Sequence, residues 1–191
     1  MPIEIFKTAN RGWGKFLAVI KNRVTDICQG LRCKVDLKVG QFVDTYRGEI
    51  ITHEEVERRG RNRGPEEANY FFNFDRFEEE SKGYVCDGKH MGGPSRFINH
   101  SCDPNCRIMT VSYNHADIDI YDLAFFANQV IPAGTELTFD YGVELAENLD
   151  DDEAGPSRIT DTMADEYEIM KGYRPARCLC GSRKCRGYFF T

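Results

Sequence analysis

The sequence predicts a mostly β (α+β) fold, on three observations. Short apolar stretches recur at strand length and are broken by Gly and Pro. Only one segment carries the start and stop signals of a helix. The chain has 191 residues, room for one domain with a real core plus an appendage.

Taken along the chain, Gly40 to Gly48 followed by Glu49 to Ile51 reads as strand, turn, strand. Thr52 to Arg61 is the helix, with Thr52 as its N-cap and Glu54 and Glu55 in the first turn, where the helix dipole favours acids. Tyr70 to Phe74, Ile118 to Tyr121, Leu123 to Ala127 and Glu136 to Tyr141 are further strands. In the last of these, alternation puts Phe139 and Tyr141 on one side. Leu123 to Ala127 fits either an edge open to β-augmentation by a peptide or a buried core strand.

Composition then changes. Residues 144–168 hold ten acids against a single base, Arg158, which reads as an acidic loop, a solvated linker more than a steering device for a basic substrate. Lys+Arg number 25 and Asp+Glu 31, a net charge of −6, which argues against direct sequence-specific DNA binding and for a Lys/Arg-rich partner. No apolar run reaches the roughly 18 residues of a membrane span, and Met1 to Lys7 lacks the order of a signal peptide, so no membrane role is expected. In the reducing setting this implies, the eight cysteines favour metal ligation or burial over disulfides.

Three of those cysteines form the cluster Cys178-x-Cys180-x4-Cys185. Thiolates so closely spaced suit a tetrahedral zinc site that needs one further ligand. Cys102 is the best candidate, Cys106 its local competitor, and His100 and His90 are less suited. Such a metal would clamp the C-terminal tail over the body, so that ordering the tail depends on the ion. Cys28, Cys33, Cys86 and Cys106 default to buried or free thiols.

Two further motifs complete the set. Arg11-Gly-Trp-Gly14 allows close backbone approach to a ligand, although turns use glycine equally. Arg96-Phe-Ile-Asn-His-Ser-Cys-Asp-Pro-Asn105 gathers polar groups in a loop, the composition of a binding site. Together with Glu136 to Tyr141 and the terminal cysteines, these motifs resemble the SET domain and post-SET tail of histone-lysine methyltransferases, over residues 10–141 and 177–190. Within that family the chain is similar to the suppressor-of-variegation type that methylates lysine nine of histone H3. Gly88 to Asn105, Tyr121 to Ala127 and Cys185 to Tyr188 resemble fungal members.

The resemblance implies a SET fold of several small sheets, in which the Asn99-His100 segment threads a loop as a pseudoknot, with a zinc-bound post-SET tail. Expected divisions are a SET domain over 1–142, an acidic loop over 143–176 and a tail over 177–191. S-adenosylmethionine would be walled by Arg11, Gly12, Trp13, Tyr70, Arg96, Phe97, Asn99 and His100, since aromatic faces suit a sulfonium. Tyr141 matches the catalytic tyrosine, Tyr46 the tyrosine that orients the amine, and Phe139 a position that governs how many methyls fit. Phe190 sits where relatives close the lysine channel. One zinc ion on Cys102, Cys178, Cys180 and Cys185, the histone H3 tail as substrate, other chromatin proteins as partners and a nuclear location follow by the same resemblance. The alternatives are a catalytically impaired interaction module and a methyltransferase for a non-histone protein.

Two departures from the family stand out. Residues 1–10 hold nothing like the Cys-rich pre-SET region, so the chain is expected to be a fragment or to lack that support. Residues 15–30 read as an insertion after the Gly-Trp-Gly turn, either an adaptive loop or a retained in-frame intron. The second is favoured because the length matches a short fungal intron.

Overall fold

The computed structural model describes residues 1–8, 15–20, 23–61, 70–74, 83–112, 120–141 and 175–190. Three sheets have three strands each. In the first, β1 (Ile3–Lys7) and β2 (Lys15–Ile20) flank β3 (Arg23–Cys33), all antiparallel. The segment read as an insertion is therefore the β2–β3 hairpin rather than a loop, and β3 runs on from it to pair Gln29 with Lys7 and Cys33 with Ile3.

The helix α1 (His53–Arg61) begins where its N-cap was expected, with the Glu55 N–H donating to Thr52 Oγ1 at 3.4 Å. The strands β4 (Phe42–Tyr46) and β5 (Glu49–Thr52) exist too, but they do not form a hairpin. β5 joins β7 (Tyr84–Asp87) and β6 (Phe71–Phe74), in the order β5-β7-β6, whereas β4 joins β10 (Asp122–Ala127) and β9 (Cys106–Val111), in the order β4-β10-β9. Local pattern showed two strands and a turn. Which partner each strand takes depends on residues far along the chain.

The same sheet settles Leu123 to Ala127. β10 is paired on both sides, to Tyr46 through Phe42 and to Val111 through Cys106, so it offers no edge to a peptide and is a core strand. Of the stretch expected over Glu136 to Tyr141 only β11 (Thr138–Phe139) is strand. Of Ile118 to Tyr121, the first two residues lie outside the described set and the last two are not strand.

The core gathers side chains from every sheet of the body. Leu31, Leu37, Val43, Ile98, Phe125, Ile131 and Leu137 are each at most 1% exposed. Burying a side chain of this kind is worth about 1.5–3 kcal/mol, and these residues do most of the work of holding the body. By contrast α1 buries no residue and is held by charge. The Arg59 guanidinium reaches Asp87, 1% exposed, at 2.8 Å and Glu49 at 2.9 Å, and its Nε reaches Glu55 at 2.7 Å. Asp87 in turn caps α2 (Gly88–Met91) by accepting from the Lys89 N–H at 2.9 Å.

A 3-10 turn over Pro94–Phe97 leads into β8 (Asn99–His100), which runs parallel to β11, Asn99 opposite Thr138 and His100 opposite Phe139. Asn105 secures this crossing. Its amide donates to the Glu136 carbonyl at 2.8 Å and accepts from the Thr138 N–H at 2.9 Å. The tail adds β12 (Pro175–Arg177) antiparallel to β13 (Tyr188–Phe190). Gly187, at φ 88, turns the chain into β13, and its carbonyl takes the Cys178 N–H at 2.7 Å.

Candidate active site and metal centre

The parallel β8–β11 contact brings together residues 39 positions apart in sequence. Phe139 leaves β11 into a cluster of rings, 4.6 Å from Tyr141, 5.0 Å from Phe125 and 5.8 Å from Phe72 between centroids. Tyr46, from β4, lies 4.5 Å from Phe72 and 6.5 Å from Phe125. Phe72 thus stands between Tyr46 and Phe139. Sequence reasoning passed over it, although alternation from Tyr70 along the strand puts residue 72 on the same side.

Both tyrosine hydroxyls are spoken for in the same way. Tyr46 Oη donates to the Tyr70 carbonyl at 2.7 Å, and Tyr141 Oη donates to the Ile98 carbonyl at 2.7 Å. The Gly88 N–H also donates to the Tyr70 carbonyl, at 3.0 Å. A Cβ at residue 88 would stand 2.5 Å from Tyr46 Oη, so only glycine leaves the phenol its place. Burial raises the pKa of both tyrosines above the usual 10.0, with lesser electrostatic contributions from Cys86 at Tyr46 and Tyr70 at Tyr141. Each is a neutral phenol whose proton points at a carbonyl and whose oxygen keeps lone pairs to accept a donor.

Beside this cluster Arg96 lies with its guanidinium 4.6 Å over the Tyr70 ring and 5.0 Å from the Phe97 ring. Its Nη1 donates to the Lys89 carbonyl at 2.6 Å, while its buried Nε has no partner among the described residues. Asn99, 6% exposed, donates to the Gln29 carbonyl at 2.9 Å and to Glu136 Oε1 at 2.8 Å. The Gln29 bond belongs to β3 and nothing in the local motif pointed to it. Arg11, Gly12 and Trp13 lie outside the described residues.

His100 joins this region to the tail. Its Nδ1 accepts the Tyr141 N–H at 3.1 Å, which puts the ring proton on Nε2, 3.3 Å from Cys102 Sγ. Phe189, 4% exposed, stacks on the His100 ring at 4.6 Å and meets Tyr141 edge-on at 5.5 Å. Phe189 is a second residue that sequence reasoning missed. Its neighbour Phe190 ends β13 opposite Pro175.

The ligating atoms of Cys102, Cys178, Cys180 and Cys185 all lie within 4.8 Å of one another. Sulfurs about 2.3 Å from a tetrahedral zinc are separated by just under 4 Å, so the set has the size of a metal site and could hold an ion. Cys102 and Cys178 are 3.6 Å apart, too far for a disulfide. The Cys102 thiol is pushed down to about 3, first by the hydrogen bond from Cys178 and then by His100 and the Arg186 N–H, while the same bond pushes Cys178 up. Cys106, the competitor for the fourth place, is buried in the body instead, as are Cys33 and Cys86. The side chain of Cys28 is outside the described set.

The comparisons agree with this architecture. The family model described as SET domain matches residues 29–142, and the chain belongs to the SET-domain family. That match opens at Gln29, after most of the β2–β3 hairpin. Among curated proteins the chain is 40% identical over 200 residues to the H3 lysine-9 specific histone-lysine N-methyltransferase dim-5 of Neurospora crassa, covering 100% of this chain and 51% of that protein. It is 36% identical to the H3 lysine-9 specific enzyme of Schizosaccharomyces pombe, over 100% of this chain and 33% of that one. Against the histone-lysine N-methyltransferase SUV39H2 of Homo sapiens the identity is 35%, over 96% of this chain and 38% of the relative. The chain therefore spans about half the length, or less, of the curated relatives it matches. Two solved structures are similar. One, described as the structural basis for the product specificity of histone lysine methyltransferases, has a TM-score of 0.68 at 39% identity over 98% of this chain and 56% of that one. The other, of the Neurospora SET domain protein DIM-5, has a TM-score of 0.59 at 43% identity over 73% of this chain and 52% of that one.

Proposed function

We propose that this chain carries the catalytic domain of an S-adenosylmethionine-dependent protein-lysine methyltransferase acting on the histone H3 tail at lysine nine, in chromatin of the nucleus. The relatives' names supply the substrate class. The observation that carries the chemistry is the pair of buried phenols, Tyr46 and Tyr141, each donating to a backbone carbonyl on either side of Phe72 and Phe139.

S-adenosylmethionine supplies a methyl group on a cationic sulfonium, open to in-line attack by a neutral amine. The chain's part is alignment and desolvation. Tyr46 and Tyr141 hold the lysine nitrogen through the lone pairs left free on their oxygens. They act as acceptors rather than general bases, because burial keeps them protonated. Phe72 and Phe139 exclude water around the side chain. With no base among the two phenols, the amine must give its proton to solvent water before transfer, and a cationic group bound beside it would favour that loss. Tyr70, Arg96, Phe97, Asn99 and His100, with Arg11, Gly12 and Trp13, form the cofactor wall. The Arg96 Nε, without a partner among the described residues, is a donor that a bound cofactor's oxygen can satisfy.

A zinc ion on Cys102, Cys178, Cys180 and Cys185 would order the tail and bring Phe190 to the mouth of the lysine channel. Functional divisions follow as 1–142 for the SET domain, 143–176 for an acidic linker and 177–191 for the tail. Phe139 presents a phenyl ring with no hydroxyl to hold a water or crowd added methyls, so di- and trimethyl products are expected.

Methyl transfer to an H3 tail peptide, read by mass spectrometry, tests this reading. Tyr141→Phe should lower kcat by about 10²–10³-fold, the scale of losing one oriented polar contact at the reacting centre. Peptide binding with no transfer by the unaltered chain would sink it in favour of an interaction module. Monomethyl product alone at saturating cofactor would remove the di- and trimethyl assignment.

A further inference from the structure

Arg186 belongs to neither the ring cluster nor the four cysteines, yet it contacts Cys102 of the cysteine set and Asp140, the sequence neighbour of Tyr141. Its backbone N–H donates to Cys102 Sγ at 3.4 Å. Its guanidinium donates to Asp140 Oδ1 at 2.5 Å, with side-chain exposures of 12% for Arg186 and 17% for Asp140. Asp140 immediately precedes Tyr141, and the same Oδ1 stands 3.5 Å from His100 Nδ1, the atom that accepts the Tyr141 N–H. A carboxylate facing an acceptor nitrogen at that range is repulsive unless a cation neutralises it, and Arg186 is that cation.

From these contacts we infer that Arg186 is a positioning residue for Tyr141. It transmits the order of the cysteine cluster through Asp140 to the backbone that aims the phenol. The tail thus acts on the site by two routes, its rings and this ion pair. The pair is largely withdrawn from water, so removing the guanidinium takes a poorly screened ion-pair contact from Asp140, unlike the loss of an exposed bridge. The guanidinium is also tied in register, because its own backbone N–H is fixed on Cys102. If the cluster loosens, the Arg186 main chain moves and Asp140 loses its counter-charge. The inference rests on the methyl-transfer reading for its kinetic consequence, but not for the structural coupling.

The full chain tests it with Arg186→Gln, Arg186→Lys, Asp140→Asn and the Arg186→Gln/Asp140→Asn pair. Three readouts are needed: zinc per chain by elemental analysis, hydrogen exchange of the 136–141 backbone, and kcat and KM on an H3 tail peptide. For Arg186→Gln the expectation is unchanged zinc content, faster exchange at 136–141, and kcat lower by about 10–100-fold, as for groups that orient a site from behind. KM should stay within about threefold, since an orienting contact is lost rather than peptide binding. Arg186→Lys, which keeps the charge, should recover much of the rate. The double variant should be no worse than the poorer single one, because both remove the same contact.

Zinc lost in step with kcat in Arg186→Gln would overturn the inference, making Arg186 merely part of the metal site. So would unchanged exchange at 136–141, or losses that multiply in the double variant. Should the unaltered chain transfer no methyl at all, the methyl-transfer reading fails, and zinc content with exchange still decides the coupling.

Discussion

The body and the tail of this molecule are held by different forces. Among the described residues the body has sixteen buried in one continuous cluster, with β8 and β11 pinned across it by Asn99 and Asn105. The tail's own cluster is Ala176, Cys178 and Phe189, with three-residue strands and four cysteines that converge from two places in the chain. Apolar burial, with buried polar bonds, stabilises the first. The second has little of it, and an ion on its four sulfurs would supply the order that burial does not. The candidate site lies along the seam, so on the proposed function its activity would follow the tail's conditions.

Metal removal should break the comparison most visibly. A strong chelator, or Cys185→Ser, is expected to cut methyl transfer by more than about 100-fold while the main unfolding transition of the body stays in place. Loss of that transition, followed by far-UV circular dichroism, would show that the body too depends on the tail.

The converse change acts on the body. Leu137→Ala, at a position 0% exposed, should cost about 2.7–5 kcal/mol in urea denaturation, by lost burial and the cavity left behind. Zinc bound per folded chain should not change. A fall in both together would mean the regions fold as one unit.

A smaller effect comes from pH. Burial raises the folded pKa of Tyr46 and Tyr141 above 10.0, so the unfolded chain gives up these protons first. Their contribution is complete below about pH 10, the unfolded value, and is lost as pH climbs through the raised folded values. Urea midpoints between pH 9 and 11 should fall for the unaltered chain and fall less steeply for Tyr46→Phe. Parallel lines would place that tyrosine in contact with water.

The smallest effect is expected where tail meets body at the surface. Lys184 Nζ reaches Asp103 at 3.0 Å, but both side chains are more than half exposed. Lys184→Met should shift the thermal midpoint by no more than about 1 °C, as for most solvated pairs. A larger shift would mean the two regions are joined by more than sulfur and the Arg186 pair.

Local signals were enough for the elements that depend on neighbours in sequence. Thr52 with Glu54 and Glu55 marked α1, short apolar runs marked β6 and β10, and the Cys-x-Cys-x4-Cys spacing marked the tail cluster. The family was also legible, because motif residues such as Asn99, His100 and Tyr141 stand in fixed order. Partner choice was not. β4 and β5 looked like a hairpin and went to separate sheets, since each pairs with residues 32 to 84 positions away. Phe72 and Phe189 were given no role by the motifs, nor were Arg186 and Asp140 although they stand within motif stretches, and only the crossing of distant segments gives them one.

What the sequence determined by itself was chemistry: which side chains can ligate a metal, face a sulfonium or accept from an amine. What only the tertiary structure decided was aim. The direction of the two phenol protons, the nitrogen of His100 that carries its hydrogen, and the reach of Arg186 into Asp140 depend on angles between segments 24 to 46 residues apart, and burial in a shared core fixes those angles.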